Sequence, residues 1–148
     1  GDVFAESSFA KQIALIEAGF LPPVLKVGNL ESLRTIADVR DAVRAYYLLV
    51  TVNPKTGESY NIGGNYTCKV GDILDTLLNF SEYKESIRIT VDPDRLRPID
   101  ADLQVPNTSK FTNHTGWKPV IPFRTTILDL LNYWRSKVGQ DGDKFLAR

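Results

Sequence analysis

Apolar residues recur at helical spacing in four segments of the chain, and each spacing predicts an amphipathic helix. The first helix can be capped by Ser7 or Ser8 and stopped at Gly19. The second follows Asp38, whose carboxylate can accept hydrogen bonds from the unpaired N–H groups of the first turn. The buried faces are expected to consist of Phe9, Ile13, Ile16 and Phe20 in the first helix and of Val39, Val43, Tyr47 and Val50 in the second.

The other two helices lie further along the chain. Thr67 can cap the third helix, and the last helix begins near Phe123. A shorter helix can begin at Asn107 or Thr108 and end at Gly116. The side chains expected to face the core are Val70, Ile73, Leu74, Leu77 and Leu78 in the third helix and Ile127, Leu131, Trp134 and Val138 in the last.

Short extended segments separate the predicted helices. Apolar residues in 24–27 indicate a strand that ends at the turn signal Gly28-Asn29. A brief extended piece follows at 33–37, and alternating apolar and polar residues predict strands at 58–62 and 87–91. Helices mixed with short strands indicate an α/β fold.

Composition limits the class of protein. A length of 148 residues fits one domain, expected over 1–138, with 139–148 as a loose polar tail. The formal net charge is zero and no apolar run is long enough to span a membrane, so neither nucleic acid nor a membrane is an expected partner. One cysteine, Cys68, excludes an internal disulfide, and the first residues lack signal-peptide features, which together indicate a cytoplasmic location.

Two kinds of site are not expected from the sequence. It contains no Gly-x-Gly-x-x-Gly, the fingerprint of a dinucleotide-binding domain, so a complete Rossmann domain is not predicted. His114 is the only histidine, and without a second His or Cys cluster it does not predict a metal site; it is interpreted as a surface residue.

Arg34 is the first candidate for binding chemistry. It stands between apolar neighbours, Leu33 and Ile36, just before a helix expected to be buried. A guanidinium in such a place needs an acceptor, because an unpaired buried charge is costly. A salt bridge to a nearby carboxylate, or simple exposure, would satisfy it. The other interpretation is an anion site, since the planar fork of arginine matches phosphate.

The residues around Arg34 resemble a known family. GNLESLRTIADVRD, at 28–41, resembles the stretch G-N-L-x-x-x-R-x-x-x-D-V-R-D of extended short-chain dehydrogenases that act on nucleotide sugars. The match is closest to the family of GDP-mannose 4,6-dehydratase and GDP-4-keto-6-deoxymannose reductase. It extends over roughly 8–138 but only over the C-terminal half of that family's length. The Arg-Pro-x-Asp at 97–100, within the charged loop 92–102, and the Gly-Trp-Lys-Pro at 116–119 also match.

The resemblance implies a fold and a set of site residues. The chain would be the C-terminal substrate-binding domain, and its strand at 58–62 would join the sheet of a missing Rossmann half. Arg34 and Arg97 would bind the diphosphate of a GDP-sugar, each by charge-assisted bonds. Asp100, where family members carry an acid, would orient the ribose or base. The remaining implied contacts are Lys11, which adds charge, and Val27, Asn29 and Leu30, which line the nucleotide slot.

The chemistry implied by the resemblance lies outside this chain. The NADP cofactor and the catalytic Tyr-Lys pair would belong to the absent half, and the parent would be a homo-oligomeric dehydratase. Tyr133 and Lys137 have the same Tyr-x-x-x-Lys spacing, but they fall in the ordinary last helix and are interpreted as chance. No catalytic residue is therefore assigned here.

Three alternatives stay open. The parent could be the 4-keto reductase instead of the dehydratase, because the residues that separate the two lie outside the chain. The chain could be a stand-alone nucleotide-sugar-binding module without activity. It could also be a purely structural domain, in which the arginines pair with Asp38, Asp41, Asp100 or Asp102.

Overall fold

A computed structural model describes residues 4–96, 103–141 and 144 of the chain. These residues contain five α-helices and five short strands. The helices are α1 (Ala5–Glu17), α2 (Val39–Thr51), α3 (Val70–Leu78), α4 (Ser109–Thr115) and α5 (Phe123–Asp141). The strands are β1 (Val24–Val27), β2 (Leu33–Ile36), β3 (Tyr66–Lys69), β4 (Arg88–Val91) and β5 (Leu103–Gln104).

The strands form two small sheets in the described part of the chain. Strands β1 and β4 pair in parallel, with Val24 opposite Arg88 and Val27 opposite Val91. In the second sheet β2 lies in the middle, antiparallel to β3 and parallel to β5. The α/β class and the strands at 24–27, 33–36 and 88–91 are thus confirmed.

The main core lies between α1, α3 and α5, with β1 against α1. All four side chains predicted on the inner face of α5 are buried, and so are all five predicted for α3. In α1 the predicted residues Phe9, Ile13 and Ile16 are buried, and Phe20 packs against the core from just beyond the helix. A single large apolar cluster therefore holds the three helices together.

A side chain of α1 occupies the free edge of β1. The side-chain oxygen of Gln12 accepts from the backbone N–H of Lys26 at 2.8 Å, and its amide nitrogen donates to the Lys26 carbonyl at 3.0 Å. This pair of bonds copies the pattern that a neighbouring strand would make. The Gln12 amide thereby satisfies part of a strand edge that would otherwise be open.

Asp38 fixes the start of α2, as the sequence predicts. Its carboxylate accepts from the backbone N–H of Arg40 at 2.8 Å and from the guanidinium of the same residue. It also accepts from the hydroxyl of Thr126 in α5, and Arg40 reaches Asp129 in α5 at 2.7 Å. The hydrogen bonds from Arg40 hold the pKa of the buried Asp38 carboxyl well below its ordinary value, although burial alone would raise it.

Asp41 joins α2 to the link between α4 and α5. Its carboxylate accepts from the backbone N–H groups of Val120 and Ile121 at 2.9 and 3.0 Å and from the guanidinium of Arg44 at 2.8 Å. The indole N–H of Trp117 donates to the Asp41 carbonyl. Burial would raise the pKa of Asp41, but the hydrogen bonds from Arg44 and the two amides outweigh it, so the pKa is lowered.

The predicted buried face of α2 is wrong. Val39, Val43, Tyr47 and Val50 are all exposed, each by more than half of its surface. The buried residues of the helix are Asp41 and Ala45, on the opposite side. The spacing correctly predicts the helix and its apolar stripe, but nothing among the described residues covers that stripe.

Several boundaries also differ from the predictions. The segment 58–62 belongs to neither sheet, because no described strand lies beside it. Helix α1 starts after Phe4 instead of a serine, and Thr67 lies in β3, so α3 begins after Lys69. Helix α5 continues to Asp141, past the boundary expected for the polar tail. None of the described helices is both long and apolar enough to cross a membrane.

Replacing Asp41 with alanine should destabilise the chain strongly. Two backbone amides and a guanidinium would lose their buried acceptor, so we expect the free energy of unfolding to fall by about 2–4 kcal/mol. Urea denaturation followed by circular dichroism measures this loss. Asp129→Ala, at the exposed carboxylate that also pairs with an arginine, is the matched control and should cost much less. Equal losses in both variants would show that the buried bonds are not what matters.

The lowered pKa of Asp38 predicts a specific pH dependence. An aspartate in the unfolded chain titrates near 3.8, whereas Asp38 in the folded chain titrates below that. Its stabilising contribution is therefore complete above the unfolded value and is lost as the pH falls through the folded value. Asp38→Asn should make the free energy of unfolding fall less steeply below about pH 4. Identical acid slopes for the native chain and the variant would contradict this assignment.

Candidate functional site

A cavity of about 530 Å³ opens between α1, the turn after β1, and β2. Its fourth side is the short 3₁₀ turn Pro93–Arg95, which follows β4. The walls are part apolar and part charged. The lining residues are Phe4, Ala5, Glu6, Ser8 and Phe9 of α1 and its start, Gly28 and Asn29 of the turn, Arg34, Thr35 and Ile36 of β2, Val70 and Ile73 of α3, and Asp94, Arg95 and Leu96.

Two arginines from distant parts of the sequence line this cavity. Arg34 lies in the middle strand of its sheet, half-buried, and donates to the Leu33 carbonyl at 2.7 Å. Arg95 is anchored by a hydrogen bond to the hydroxyl of Ser8 at 2.8 Å and by Asp92, whose carboxylate lies 3.4 Å from its Nε. A guanidinium presents up to five donors, so one side chain can keep a structural contact and bind an anion at the same time.

Gly28 permits the close approach of the two walls. A Cβ at this position would overlap the carbonyl oxygen of Arg95. The backbone N–H of Asp92 bonds to the Val27 carbonyl at 2.9 Å, which extends the β1–β4 pairing into the turn. The 3₁₀ turn therefore lies directly against the Gly28-Asn29 turn, and Arg95 is brought to the cavity by that contact.

Some of the residues suggested by the resemblance line the cavity, and others do not. Asn29 and Arg34 line the cavity. Val27 and Leu30 do not, because Val27 is fully buried in the core and Leu30 packs against it. Lys11 also lies elsewhere, with its ammonium 5.6 Å from the centre of the Trp134 ring. The other two suggested residues, Arg97 and Asp100, lie outside the described residues.

Arg95 and Ser8 are cavity residues that the sequence does not single out. Arg95 stands two positions before Arg97 in a charged loop, and nothing in that loop distinguishes the two side chains locally. Ser8 has the signal of a helix cap but is instead a buried acceptor inside α1. Only the contact across 87 positions of sequence shows that the two residues act together.

Two of the four carboxylates that could pair with the candidate arginines have other partners. Two of them, Asp38 and Asp41, are engaged by Arg40 and Arg44 and hold α2 in place. Arg34 lines the cavity and donates to a backbone carbonyl. These two aspartates therefore belong to the attachment of α2, not to the cavity.

The Tyr-x-x-x-Lys segment of α5 contributes contacts between the core helices. Tyr133 is exposed, and the residues between it and Lys137 include Arg135, which binds Glu17 of α1 through two hydrogen bonds of 2.7 and 2.8 Å. Arg135 also donates to the Phe80 carbonyl at the end of α3. This segment thus joins α5 to the C-terminal ends of α1 and α3.

Histidine and cysteine chemistry is not supported in the described residues. His114 is half-buried, not on the open surface, and both ring nitrogens are engaged, by the Tyr60 hydroxyl at 2.6 Å and the Asn53 carbonyl at 2.9 Å. Burial, with a smaller contribution from Asp72, raises the pKa of the Cys68 thiol to about 11, so it is a poor nucleophile. No group of three candidate metal ligands occurs among the residues described.

No site for a nicotinamide cofactor is recognised among the described residues. The sequence lacks the glycine fingerprint, and neither small sheet ends in the strand–turn–helix that receives a pyrophosphate.

Known structures share this fold. The structure of RMD from Pseudomonas aeruginosa, complexed with NADPH, superposes with a TM-score of 0.80 at 26% identity, covering 93% of this chain and 44% of that one. UDP-glucose 4-epimerase from Thermotoga maritima, solved with UDP-glucose, gives a TM-score of 0.75 at 20% identity, covering 93% and 41%. The fold is that of part of an extended short-chain dehydrogenase.

Sequence comparison narrows this class. A family model described as GDP-mannose 4,6 dehydratase matches residues 1–130, and the chain belongs to that family. It is 27% identical over 140 residues to GDP-6-deoxy-D-mannose reductase of Pseudomonas aeruginosa, covering 95% of this chain and 45% of the relative. It is 31% identical over 118 residues to dTDP-glucose 4,6-dehydratase of Escherichia coli, covering 72% and 30%. The chain thus spans less than half the length of both relatives.

The close approach at Gly28 predicts the effect of a single methyl group. Gly28→Ala must displace the backbone of the 3₁₀ turn, so we expect a loss of about 1–3 kcal/mol in the free energy of unfolding. Gly139→Ala is the matched control, because a Cβ there meets nothing within 4 Å and alanine favours the helix. Chemical denaturation of the two variants measures the difference. A neutral Gly28→Ala would mean that the two turns are not held together tightly.

Proposed function

We propose that the cavity holds the diphosphate of a GDP-sugar. The observation that supports this most is the placement of Arg34 and Arg95 on one cavity, from two segments 61 positions apart, beside a turn that only glycine allows to close so tightly. Two guanidiniums match the charge and the planar geometry of a diphosphate. Apolar walls from Phe9 and Ile73 would leave the sugar or ribose a surface to pack on.

The rest of the proposed site extends to residues suggested by the family resemblance. Arg97 would be a further diphosphate ligand, and Asp100 would accept from the ribose or the base. Asn29 lies at the cavity wall, where its side chain is held by Ser32 at 2.9 Å. Lys11 would contribute charge from outside the cavity. Val27 and Leu30 would then shape the slot from beneath through the backbone turn they flank.

For the whole protein we propose an NADP-dependent GDP-mannose 4,6-dehydratase. The family match supports this, with the cofactor and the catalytic groups in the part of the protein outside this chain. Within the chain, the role of the described residues is to bind and orient the nucleotide. Product formation by the full-length protein from GDP-mannose tests the reaction.

A second candidate is the 4-keto reductase. The alignment with GDP-6-deoxy-D-mannose reductase covers 95% of this chain, whereas the alignment with dTDP-glucose 4,6-dehydratase covers 72%. The two reactions use the same nucleotide, so the binding residues proposed here serve both. Oxidation of NADPH by the full-length protein with a GDP-4-keto-6-deoxy sugar would select the reductase.

Location and assembly belong to the same proposal. The expected setting is a cytoplasmic enzyme that forms a homo-oligomer and uses neither nucleic acid nor a membrane. The zero net charge supports the absence of a nucleic-acid or membrane partner, the single buried cysteine supports a reducing compartment, and the homo-oligomer rests on the family resemblance.

The binding proposal makes a quantitative prediction for Arg34. Arg34→Ala should weaken GDP binding more than about tenfold, because it removes charge-assisted bonds worth on the order of 1.5–3 kcal/mol. Arg88→Ala, an exposed arginine in a strand that does not line the cavity, is the matched control and should bind as the native chain does. Calorimetric titration measures both, with UDP and CDP to test the base. The same loss is expected for Arg97→Ala.

The same titration tests which nucleotide base is preferred and whether the 148-residue chain binds a nucleotide by itself. Preference for GDP over UDP and CDP supports the GDP-sugar assignment. If the 148-residue chain binds none of the three nucleotides, the titration is repeated on the full-length protein. Unchanged affinity of the full-length Arg34→Ala variant would then contradict the proposal.

A further inference from the structure

The guanidinium of Arg95 is held by the protein on one side and open on the other. Its Nη1 donates to the Ser8 hydroxyl oxygen at 2.8 Å, and its Nε lies 3.4 Å from the carboxylate of Asp92. Arginine carries one N–H on Nε and two on each terminal nitrogen. Within the described residues, both N–H groups of Nη2 and one of Nη1 are therefore left for a ligand in the cavity that Arg95 lines.

Ser8 is the buried partner in this contact. Only 8% of its surface is exposed, and it lies in the cavity wall beside Phe9. Its hydroxyl oxygen accepts from Arg95 and, at 3.3 Å, from the side-chain amide nitrogen of Gln12, one turn further along the helix. The two donors occupy both lone pairs of the oxygen, so they restrain the rotation of the Ser8 side chain.

Gln12 is itself oriented by β1. The backbone N–H of Lys26 can only donate, so the oxygen of the Gln12 amide must face it, and the amide nitrogen then faces the Lys26 carbonyl and Ser8. Both residues next to Lys26 in β1 are fully buried in the main core. The hydrogen bonds from Lys26 through Gln12 and Ser8 to Arg95 therefore anchor the guanidinium to the core.

This anchoring prepares Arg95 to bind an anion. The Arg95 side chain is 39% exposed, and an arginine that is free to move loses side-chain entropy when it binds a ligand. Ser8 orders the guanidinium before a ligand arrives, which removes part of that loss. A hydroxyl group carries no charge, so it holds the guanidinium without neutralising it, whereas a carboxylate in the same place would repel the phosphates.

We infer that Ser8 is a positioning residue for the nucleotide: it holds Arg95 with the open side of the guanidinium towards the diphosphate, and Gln12 holds Ser8. Ser8 acts through Arg95 and not through a phosphate contact of its own. The inference rests on the proposed function, because Arg95 is a diphosphate ligand only if the cavity binds a nucleotide. It adds a residue whose loss should weaken binding although the positive charge of the site is unchanged.

The test measures GDP binding to the full-length protein by calorimetric titration. Ser8→Ala should weaken binding about three- to tenfold, because the ligand then has to order Arg95 itself. Arg95→Ala should weaken it more than about tenfold, since it removes the charge as well. In the Arg95→Ala background Ser8→Ala should have no further effect, because Ser8 then has no guanidinium to hold.

Two variants separate positioning from a general effect on α1. Ser7→Ala is the matched control, because the Ser7 hydroxyl accepts from the indole N–H of Trp134 at 3.0 Å and does not line the cavity. This variant should bind GDP as the native protein does. Ser8→Thr keeps the hydroxyl oxygen and should also keep the affinity. Alanine favours a helix, so both serine-to-alanine variants are expected to fold.

Either of two results would overturn this inference alone. One is native affinity in Ser8→Ala. The other is the same loss from Ser8→Ala with and without Arg95, which would assign Ser8 a role in the packing of α1. A different result would identify failure of the proposed function. If Arg95→Ala binds GDP as tightly as the native protein does, the cavity does not hold the diphosphate through Arg95, and the inference fails with that proposal.

Discussion

Two buried carboxylates at the start of α2 hold the described chain in its arrangement. The main apolar cluster joins α1, α3 and α5 and contains no residue of α2, so α2 needs another attachment. Asp38 supplies it towards α5, and Asp41 supplies it towards the link before α5. Because these carboxylates accept from several donors, the cost of burying the two charges is offset, and both carboxyl groups remain ionised at neutral pH. Asp38 also follows β2, which carries Arg34, by two residues, so the same contacts lie next to the end of that strand.

The spacing of apolar residues predicts the positions of the helices better than it predicts which of their faces are covered. Apolar spacing predicts a buried face for both α2 and α5, and it identifies the buried face of α5 correctly. In α2 it identifies an apolar stripe that no described residue covers. Spacing reports that a face is apolar but not which part of the protein packs on it. The segment 58–62 has the alternating pattern of a strand. It belongs to neither sheet of the described residues, because a strand forms only beside another strand.

In the candidate site, too, the sequence identifies some residues and misses others. Arg34 could be found from the sequence because a charge between apolar neighbours is unusual and because the surrounding residues match the family. Arg95 could not, since its place at the cavity results from the contact of two turns far apart in sequence, with Gly28 on one side and Ser8 as the anchor. The family resemblance also suggests Lys11 for its charge and Val27 and Leu30 for the slot, and none of the three lines the cavity; their contact with a nucleotide stays a prediction. Tertiary contacts therefore decide which members of a motif reach the cavity.

Arg34 and Arg95 are proposed to bind one diphosphate together, and this pairing is central to the function. The most direct measurement is an NMR titration of the chain labelled with ¹⁵N at arginine, in which the side-chain Nε–H signals are followed as GDP is added. The signals of Arg34 and Arg95 should shift together and saturate at the same GDP concentration, while that of Arg88 stays in place. Saturation with GDP that leaves both signals unmoved would contradict the pairing.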